Sequence, residues 1–261
     1  MHVIVTGGSS GIGLEVARLY AARGARLTLV ARDAVKLEKA RRELLLSGHV
    51  TDADIHIAIA DVGRAADVSA VIAGAETRLG PCDILVASAG VVEPGAFETL
   101  SGDAFAGQVT TNLLGAANAV RAVYGGMKAR GSGRIMIVSS GAALIGLYGY
   151  TAYCASKSAL TGFVEALAFE AAGSGVRISI CFPPDTFTPQ LEWDLKRRPP
   201  QAQVLMGKAK PWTAPAVARR IVRAIERGTP KLYFGFSITG LGFFGSLVKP
   251  VLMWWYTRKP F

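Results

Sequence analysis

The chain has 261 residues, of which 51% are hydrophobic and 18% are charged, and its formal net charge is +10. This apolar content excludes a disordered chain, and the length allows one large domain with a substantial core. The three widely spaced cysteines show neither zinc-ligand spacing nor a disulfide framework, which favours a reducing compartment, and no histidine indicates a metal site. Because an apolar strand is predicted to begin by residue 3, we expect no secretion signal.

Apolar strands alternate with helical patterns along the chain. Strands are predicted at 3–6, 26–31, 54–60, 83–88, 134–140 and 176–182, with a seventh at 231–235. Helices are predicted at 13–23, 35–46, 65–79, 103–128 and 151–171. This order predicts an α/β fold, a Rossmann-type doubly wound parallel sheet of about seven strands with helices on both faces. No repeat or linker divides the sequence, so we expect a single domain over 1–261.

A glycine-rich turn joins the first predicted strand to the first predicted helix. Its sequence is Gly7-Gly8-Ser9-Ser10-Gly11-Ile12-Gly13. Strand, glycine turn and helix form the layout of a dinucleotide site, in which the backbone approaches a pyrophosphate at the helix N-terminus. Alone, such a loop could be only a tight turn, so the interpretation needs a second signal.

The end of the second predicted strand indicates the type of dinucleotide. A site for NAD usually carries an acidic residue there. This chain has Ala31 and then Arg32, followed by Asp33. A guanidinium binds phosphate well, so Arg32, with the hydroxyls of Ser9 and Ser10, favours NADPH (NADP+). Asp33 leaves an alternative open, because its carboxylate could bind a ribose one position late.

The second signal comes from a hydroxyl, a phenol and an ammonium. Tyr153 and Lys157 are four residues apart and share a face of the predicted helix 151–171, and Ser140 ends the strand before it. A nearby ammonium lowers the pKa of a phenol, and a phenol beside a hydroxyl can move a proton to or from an oxygen. The alternative is a surface helix with a solvated lysine, which the glycine loop in the same chain disfavours.

These residues match, in chain order, the pattern of a known family over nearly the first 190 positions. The sequence resembles the short-chain dehydrogenase/reductase family in its glycine loop, in Ser88-Ala89-Gly90 (usually Asn-Ala-Gly), and in Asn112, Ser140, Tyr153 and Lys157. The resemblance implies that Ser140 orients the substrate oxygen and that Tyr153 is the acid/base. It also implies that Lys157 holds the cofactor ribose and lowers the tyrosine pKa, and that Asn112 positions a water for proton relay.

The resemblance also implies a set of cofactor-binding residues. Asp61 should lie near the adenine, and the threonines after the sixth strand near the nicotinamide carboxamide. The full expected set is Gly7, Ser9, Ser10, Gly11, Ile12, Gly13, Arg32, Asp61, Val62, Ala89, Gly90, Tyr153, Lys157, Pro183, Thr186 and Thr188.

A narrower resemblance lies just after the sixth predicted strand. The family usually has Pro-Gly-x-x-x-Thr there, whereas this chain has Pro183-Pro184-Asp185-Thr186-Phe187-Thr188-Pro189. That stretch is similar to the 3-ketodihydrosphingosine (3-dehydrosphinganine) reductases, as are 6–14, 27–32 and 139–157. The alternative for the two prolines is a rigid turn alone. The resemblance implies NADPH-dependent reduction of a long-chain ketone, most simply 3-ketodihydrosphingosine to dihydrosphingosine.

The end of the chain is both basic and apolar. Residues 195–261 hold thirteen lysines and arginines against one acidic residue, Glu226. We expect a substrate lid over 191–211 and, over 236–261, a hydrophobic helix that either contacts a membrane surface peripherally or closes the pocket or a subunit interface. Membrane contact would place a cytoplasmic protein on the cytoplasmic face of a membrane. A nucleic-acid partner is disfavoured because large aliphatic runs interrupt the cations.

Two rival functions stay open at this point. One is a reductase of the same family for another lipid, steroid, retinoid or acyl ketone, or for a short ketone. The other is a non-catalytic NADP-binding regulator, which would need no tyrosine–lysine pair. The family resemblance also implies a possible homodimer through the helices around 103–128 and 151–171.

Overall fold

The computed structural model describes residues 1–206 and 210–259. The lid predicted over 191–211 includes residues 207–209, and the helix predicted over 236–261 includes residues 260 and 261. Those five residues lie outside the described part of the chain.

The described residues form nine strands and ten α-helices. The strands are β1 (His2–Thr6), β2 (Arg26–Ala31), β3 (Ile55–Ile59), β4 (Ile84–Ala87), β5 (Gly133–Val138), β6 (Val176–Phe182), β7 (Thr186–Phe187), β8 (Trp212–Thr213) and β9 (Lys231–Tyr233). The helices are α1 (Gly11–Ala21), α2 (Ala34–Leu45), α3 (Ala65–Leu79), α4 (Gly102–Val109), α5 (Gly115–Ala129), α6 (Thr151–Glu170), α7 (Pro189–Leu195), α8 (Pro200–Met206), α9 (Ala214–Arg227) and α10 (Gly235–Tyr256).

Seven strands form one parallel sheet in the order β3-β2-β1-β4-β5-β6-β9, and β7 pairs with β8 separately. The predicted α/β fold with a doubly wound parallel sheet is therefore confirmed. The strand order reverses direction between β1 and β4, and such a switch point opens a crevice at the carboxyl ends of the strands.

The strands are apolar throughout because both faces of the sheet are covered. Val3 and Val5 face a core that contains α1, α2 and α9, whereas Ile4 between them faces a second core that contains α3, α5 and α6. Alternate residues of a strand point to opposite faces, so each strand contributes to both layers. This packing fixes the strand ends from which the site residues project.

The structure differs from the predicted elements in two regions. The single helix predicted over 103–128 consists of α4, a π-helical turn at Thr110–Leu114, and α5. Three helices after β6, namely α7, α8 and α9, were not predicted. Helix α9 has clear ends, because the Thr213 hydroxyl accepts from the Ala216 N–H and Gly228 follows in the left-handed conformation.

Helix α10 is the most apolar segment described. Its 22 residues are long and hydrophobic enough to cross a membrane by length and composition alone, with a mean hydropathy of 1.4 over 18 residues. Little of it is buried, and its backbone departs from helical geometry at Phe244. The length criterion by itself is weak evidence for a span.

Candidate active site

A cavity of about 690 Å³ lies at the carboxyl ends of the central strands. One end is polar and is formed by the glycine loop and the residues that follow β2 and β4. The other end is largely apolar, with contributions from α8, α10 and the loop before α6: Ile145, Leu147, Leu205, Met206, Phe236, Ile238 and Leu241. The predicted site residues all line this cavity except Gly13, Asp61 and Asn112.

The glycine loop is shaped so that side chains would not fit. Gly7 has a positive φ of 68°, and a Cβ on Gly7 would come within 2.8 Å of the Ala89 backbone. A Cβ on Gly13 would lie 2.4 Å from the Gly7 carbonyl oxygen. The loop therefore folds tightly against the start of α1 and leaves a backbone cradle at that helix N-terminus. Such a cradle fits a pyrophosphate.

Ser10 is the N-cap residue that precedes α1, and its hydroxyl makes no capping hydrogen bond. Its backbone is extended. No acidic residue lies in the first turn of α1, so the positive end of the helix dipole is not offset by a carboxylate. Ser9, Ser10 and Ile12 all line the cavity.

Arg32 and Lys36 place two cations at the mouth of the polar end. Arg32 lies 3.9 Å from a carboxylate oxygen of Asp61, and both side chains are partly exposed. Asp33 is occupied elsewhere: its carboxylate accepts from the Lys36 backbone N–H at 3.0 Å as the N-cap of α2 and lies 3.4 Å from the Lys36 ammonium. Asp33 therefore serves as a helix cap, although its carboxylate also lines the cavity.

Ser140, Tyr153 and Lys157 lie together on the wall between the two ends of the cavity. The Tyr153 phenol and the Ser140 hydroxyl interact through a side-chain hydrogen bond. The Lys157 ammonium lies 5.9 Å from the centroid of the Tyr153 ring and donates to the Val138 carbonyl oxygen at 3.0 Å. The hydroxyl, the phenol and the ammonium therefore border the same cavity.

Burial shifts the pKa values of both Tyr153 and Lys157. Burial raises the pKa of the Tyr153 phenol to about 12, although the hydrogen bond from Ser140 lowers it. Burial lowers the pKa of Lys157 to about 8. Burial is the largest cause of the shift at Tyr153, and the implied lowering of the tyrosine pKa by Lys157 stays a prediction. Tyr153 therefore holds its proton firmly at neutral pH.

Asn112 lies one layer behind the cavity, in the π-helical turn between α4 and α5. Its side-chain nitrogen donates to the Val91 carbonyl oxygen and to the Ser156 hydroxyl, each at 2.9 Å, and its side-chain oxygen accepts from the Val91 N–H at 2.8 Å. The amide thus clamps the loop after β4 to α6. Because the side chain of Asn112 is engaged in these bonds, a relay water would have to bind to its backbone. The role of Asn112 in a proton relay stays a prediction.

The segment after β6 closes the cavity opposite the glycine loop. Pro183 accepts from the Gly141 N–H through its carbonyl oxygen at 2.8 Å, which ties this segment to the loop that begins with Ser140. Thr186 donates to the Pro184 carbonyl oxygen, and Thr188 caps α7 by accepting from the Leu191 N–H. Both threonines line the cavity, and their expected contact with the nicotinamide carboxamide stays a prediction.

Sequence reasoning gave no role to one polar cluster in the cavity wall. It consists of Tyr150, Asp185, Asp194 and Arg198, all of which line the cavity. Arg198 donates to both carboxylates, and the Tyr150 hydroxyl donates to Asp194. The one available signal was the proline-rich segment itself, in which Asp185 follows the Pro184 that replaces the usual glycine of the family.

A family model described as short chain dehydrogenase matches residues 1–197. The chain belongs to the short-chain dehydrogenase family. It is accordingly an oxidoreductase. Among curated relatives, it is 39% identical over 236 residues to a 3-dehydrosphinganine reductase of Danio rerio, covering 90% of this chain and 71% of that protein. It is also 38% identical over 229 residues to a 3-ketodihydrosphingosine reductase of Bos taurus, covering 87% and 69%.

Solved structures agree with this family assignment. An actinorhodin polyketide ketoreductase solved with NADPH is 29% identical, with a TM-score of 0.79, and the match covers 93% of this chain and 97% of that one. A levodione reductase, 24% identical with a TM-score of 0.81 over 89% and 95% of the two chains, shows the same fold.

Proposed function

We propose that this protein reduces 3-ketodihydrosphingosine to dihydrosphingosine with NADPH, as a step of sphingolipid synthesis. The observation that carries the proposal is one cavity with a glycine cradle at one end, an apolar wall at the other, and Ser140 and Tyr153 between them. The names of the relatives described above support the same substrate. A ketone at the centre of this cavity would have its polar end near Tyr153 and its alkyl chain against the apolar wall.

The choice of NADPH rests on the cations at the polar end. Arg32 and Lys36 both line the cavity, where they could pair with a phosphate on the adenine ribose, and Asp33 is held as a helix cap. A guanidinium and an ammonium stabilise a dianion that an NAD site with a carboxylate would repel. When bound, the cofactor would supply the hydride for the reduction.

The side chains of the wall would handle the proton and the developing negative charge. Tyr153, which keeps its proton at neutral pH, would donate it to the ketone oxygen. Ser140 would donate a hydrogen bond to the same oxygen and so stabilise its negative charge as the reaction proceeds. Lys157 would hold the cofactor ribose and favour loss of the tyrosine proton. A water positioned by Asn112 would then relay a proton back to the tyrosine.

A substitution at Tyr153 tests the proposal. We expect Tyr153→Phe to lower kcat with 3-ketodihydrosphingosine by about a hundredfold or more, because the proton donor is lost. NADPH affinity, measured by fluorescence titration, should stay near that of the unchanged protein. Tyr148→Phe removes an exposed hydroxyl just outside the cavity and serves as the matched control. A Tyr153→Phe variant that turns over at the normal rate would contradict the assigned roles.

Two assays separate the rival functions. Equal kcat/KM for short and long ketones would point to another reductase of the family. Absence of NADPH oxidation with any ketone would favour a non-catalytic regulator.

We further propose that α10 holds the protein on a membrane that carries acidic lipids. Its outward side chains are large and apolar, among them Leu247, Val251 and Trp254. Arg258 lies 3.9 Å above the Trp254 ring and Lys259 lies above Trp255, so cations and indoles meet at the end of the helix. Indoles at headgroup depth and cations facing acidic headgroups are the features of an interfacial helix.

Vesicle flotation of the full chain tests this attachment. Leu247→Ser with Val251→Ser should weaken binding to vesicles that contain phosphatidylserine, because both side chains lie on one face of α10. The matched control is Val35→Ser with Leu46→Ser, which removes two exposed apolar side chains from either end of α2. Equal binding of both double variants would exclude α10 as the contact surface.

We also propose a homodimer surface on the helices around 103–128 and 151–171, which are α4, α5 and α6. The outer face of α6 carries the small, exposed residues Ala155, Ala159, Gly162 and Ala166, which allow close helix packing. A mass of one chain in light scattering at micromolar concentration would contradict a dimer.

A further inference from the structure

The Asp185–Arg198–Asp194 cluster is an ion-paired group in the wall of the substrate end of the cavity. Arg198 donates to the two oxygens of Asp185 at 2.7 and 3.1 Å and to Asp194 through its Nε at 3.0 Å. The Tyr150 hydroxyl donates to the other oxygen of Asp194 at 2.7 Å. The cluster thus joins the segment after β6, the end of α7 and the start of α6.

The charges of this cluster do not balance. Two carboxylates face one guanidinium, and Tyr150 stays neutral because burial and the bond to Asp194 raise its pKa. The side chains of Asp194 and Arg198 are only 6% and 7% exposed, whereas Asp185 is 29% exposed. A buried net negative charge is costly unless a further cation pairs with it. Lys210 also lines the cavity, but it is exposed to solvent.

The cluster lies beside the reacting atoms. The Tyr150 and Tyr153 rings meet edge to face with centroids 6.3 Å apart, so the hydroxyl that bonds Asp194 belongs to a direct neighbour of the proton donor. Both carboxylates act on Tyr153 electrostatically and raise the pKa of its phenol. A cation held by the cluster would therefore lie within a few atoms of a ketone bound at Tyr153.

We propose that Asp185 and Asp194 bind the ammonium group of an α-amino ketone and so determine substrate specificity. This inference rests on the proposed function, because 3-ketodihydrosphingosine carries an amino group on the carbon next to its ketone. Asp185, the more exposed of the two carboxylates, would contact the ammonium group directly. Asp194, which is more deeply buried, would add the attraction of its negative charge. The ammonium completes the charge balance of the cluster and offsets a negative field that would otherwise oppose the developing alkoxide.

The competing explanation is that the cluster only anchors the lid helices. Arg198 fastens α7 and the loop before α8 to the segment after β6, and that role alone would not distinguish an amine from any other substituent. The two explanations differ in the ratio of kcat/KM for a charged and an uncharged ketone of equal length.

The test uses the full chain with NADPH and three ketones of the same chain length: 3-ketodihydrosphingosine, its N-acetyl derivative and the ketone without the amino group. We expect the unchanged protein to prefer the free amine by about tenfold or more, and Asp185→Asn to lower that ratio by about tenfold, mainly through KM. Asp194→Asn should lower the ratio as well. Glu192→Gln, the same chemical change on the exposed face of α7, is the control.

Each outcome decides the matter. A preference for the amine that falls in Asp185→Asn supports the ammonium subsite. Equal kcat/KM for the amine and its N-acetyl derivative in the unchanged protein overturns it while the reductase function stands, whether or not Asp194→Asn folds. Equal losses on all three ketones in Asp185→Asn show a structural role only and also overturn it. Absence of reduction of any ketone refutes the proposed function, and the subsite with it.

Discussion

Substitution of Lys157 by methionine is expected to stabilise the protein at neutral pH while it removes activity. The Lys157 side chain is buried, and its pKa falls from the ordinary 10.5 to about 8. That difference corresponds to about 3 kcal/mol of destabilisation for a protonated lysine in the folded state. Loss of the bond to the Val138 carbonyl oxygen costs about 1–2 kcal/mol. Lys157→Met should therefore raise the free energy of unfolding at neutral pH by about 1–2 kcal/mol, which corresponds to a rise of about 4 °C in Tm.

The stability difference between the two proteins should depend on pH, because Lys157 titrates at a lower pH in the folded protein than in the unfolded chain. Between about pH 8 and 10.5, the unfolded chain binds a proton at Lys157 that the folded protein has released. The stability contributed by this site therefore rises with pH over that window and is lowest below pH 8. The gain in free energy of unfolding from Lys157→Met should therefore be largest at pH 7 and should vanish at about pH 9.5. At higher pH the variant should be the less stable protein, because it lacks the hydrogen bond and no longer removes a charge.

Urea denaturation at pH 7, 8.5 and 10 measures the difference between the two proteins. Lys39→Met, which replaces an exposed lysine on α2, is the control and should show no such trend. A Lys157→Met protein that is less stable than the unchanged protein by the same amount at every pH would refute the reasoning. The lysine would then not be buried as a cation.

Three further predictions concern the cradle, the cofactor and the hydroxyl. Gly13→Ala should weaken NADPH binding in fluorescence titration, because its Cβ would collide with the loop, whereas Gly74→Ala, at a helical glycine with open space, should stabilise the protein by about 1 kcal/mol. Arg32→Ser should lower affinity for NADPH relative to NADH by about tenfold, and an unchanged ratio would argue against phosphate recognition there. Ser140→Ala should lower kcat by about a hundredfold with NADPH affinity retained, since a donor to the oxyanion and to Tyr153 is lost.

The elements of the central sheet could be predicted because their signals are local. A strand buried on both faces is a continuous apolar run, and all seven strands of the sheet were located within two residues of their ends. The glycine loop and the Tyr153–Lys157 pair are also short-range patterns, with spacings that a strand–turn–helix and a helix impose. Helix α9 was missed although its sequence carries an N-cap at Thr213, a proline in its first turn and a terminal Gly228.

The polar cluster and the pKa values could not be predicted because they depend on burial and long-range contacts. Tyr150 and Asp194 are 44 residues apart, and Asp185 and Arg198 are 13 apart, in segments with no periodic pattern to relate them. The sign of the Tyr153 shift likewise depends on how much water the folded chain removes from the phenol, a quantity that no spacing encodes.

The course of α10 connects the two proposals about the lipid. Its first turns carry Ile238 and Leu241, which line the cavity, and its later turns carry exposed apolar side chains such as Leu247 and Val251. A ketone that leaves a bilayer along this helix would enter the cavity between apolar walls with its alkyl chain toward α10. Its polar end would then meet Tyr153 and, beside it, Asp185. The same helix would thus select the orientation in which the ammonium reaches its carboxylates, so weakened membrane contact should raise KM for the lipid in vesicles more than for a short, soluble amino ketone.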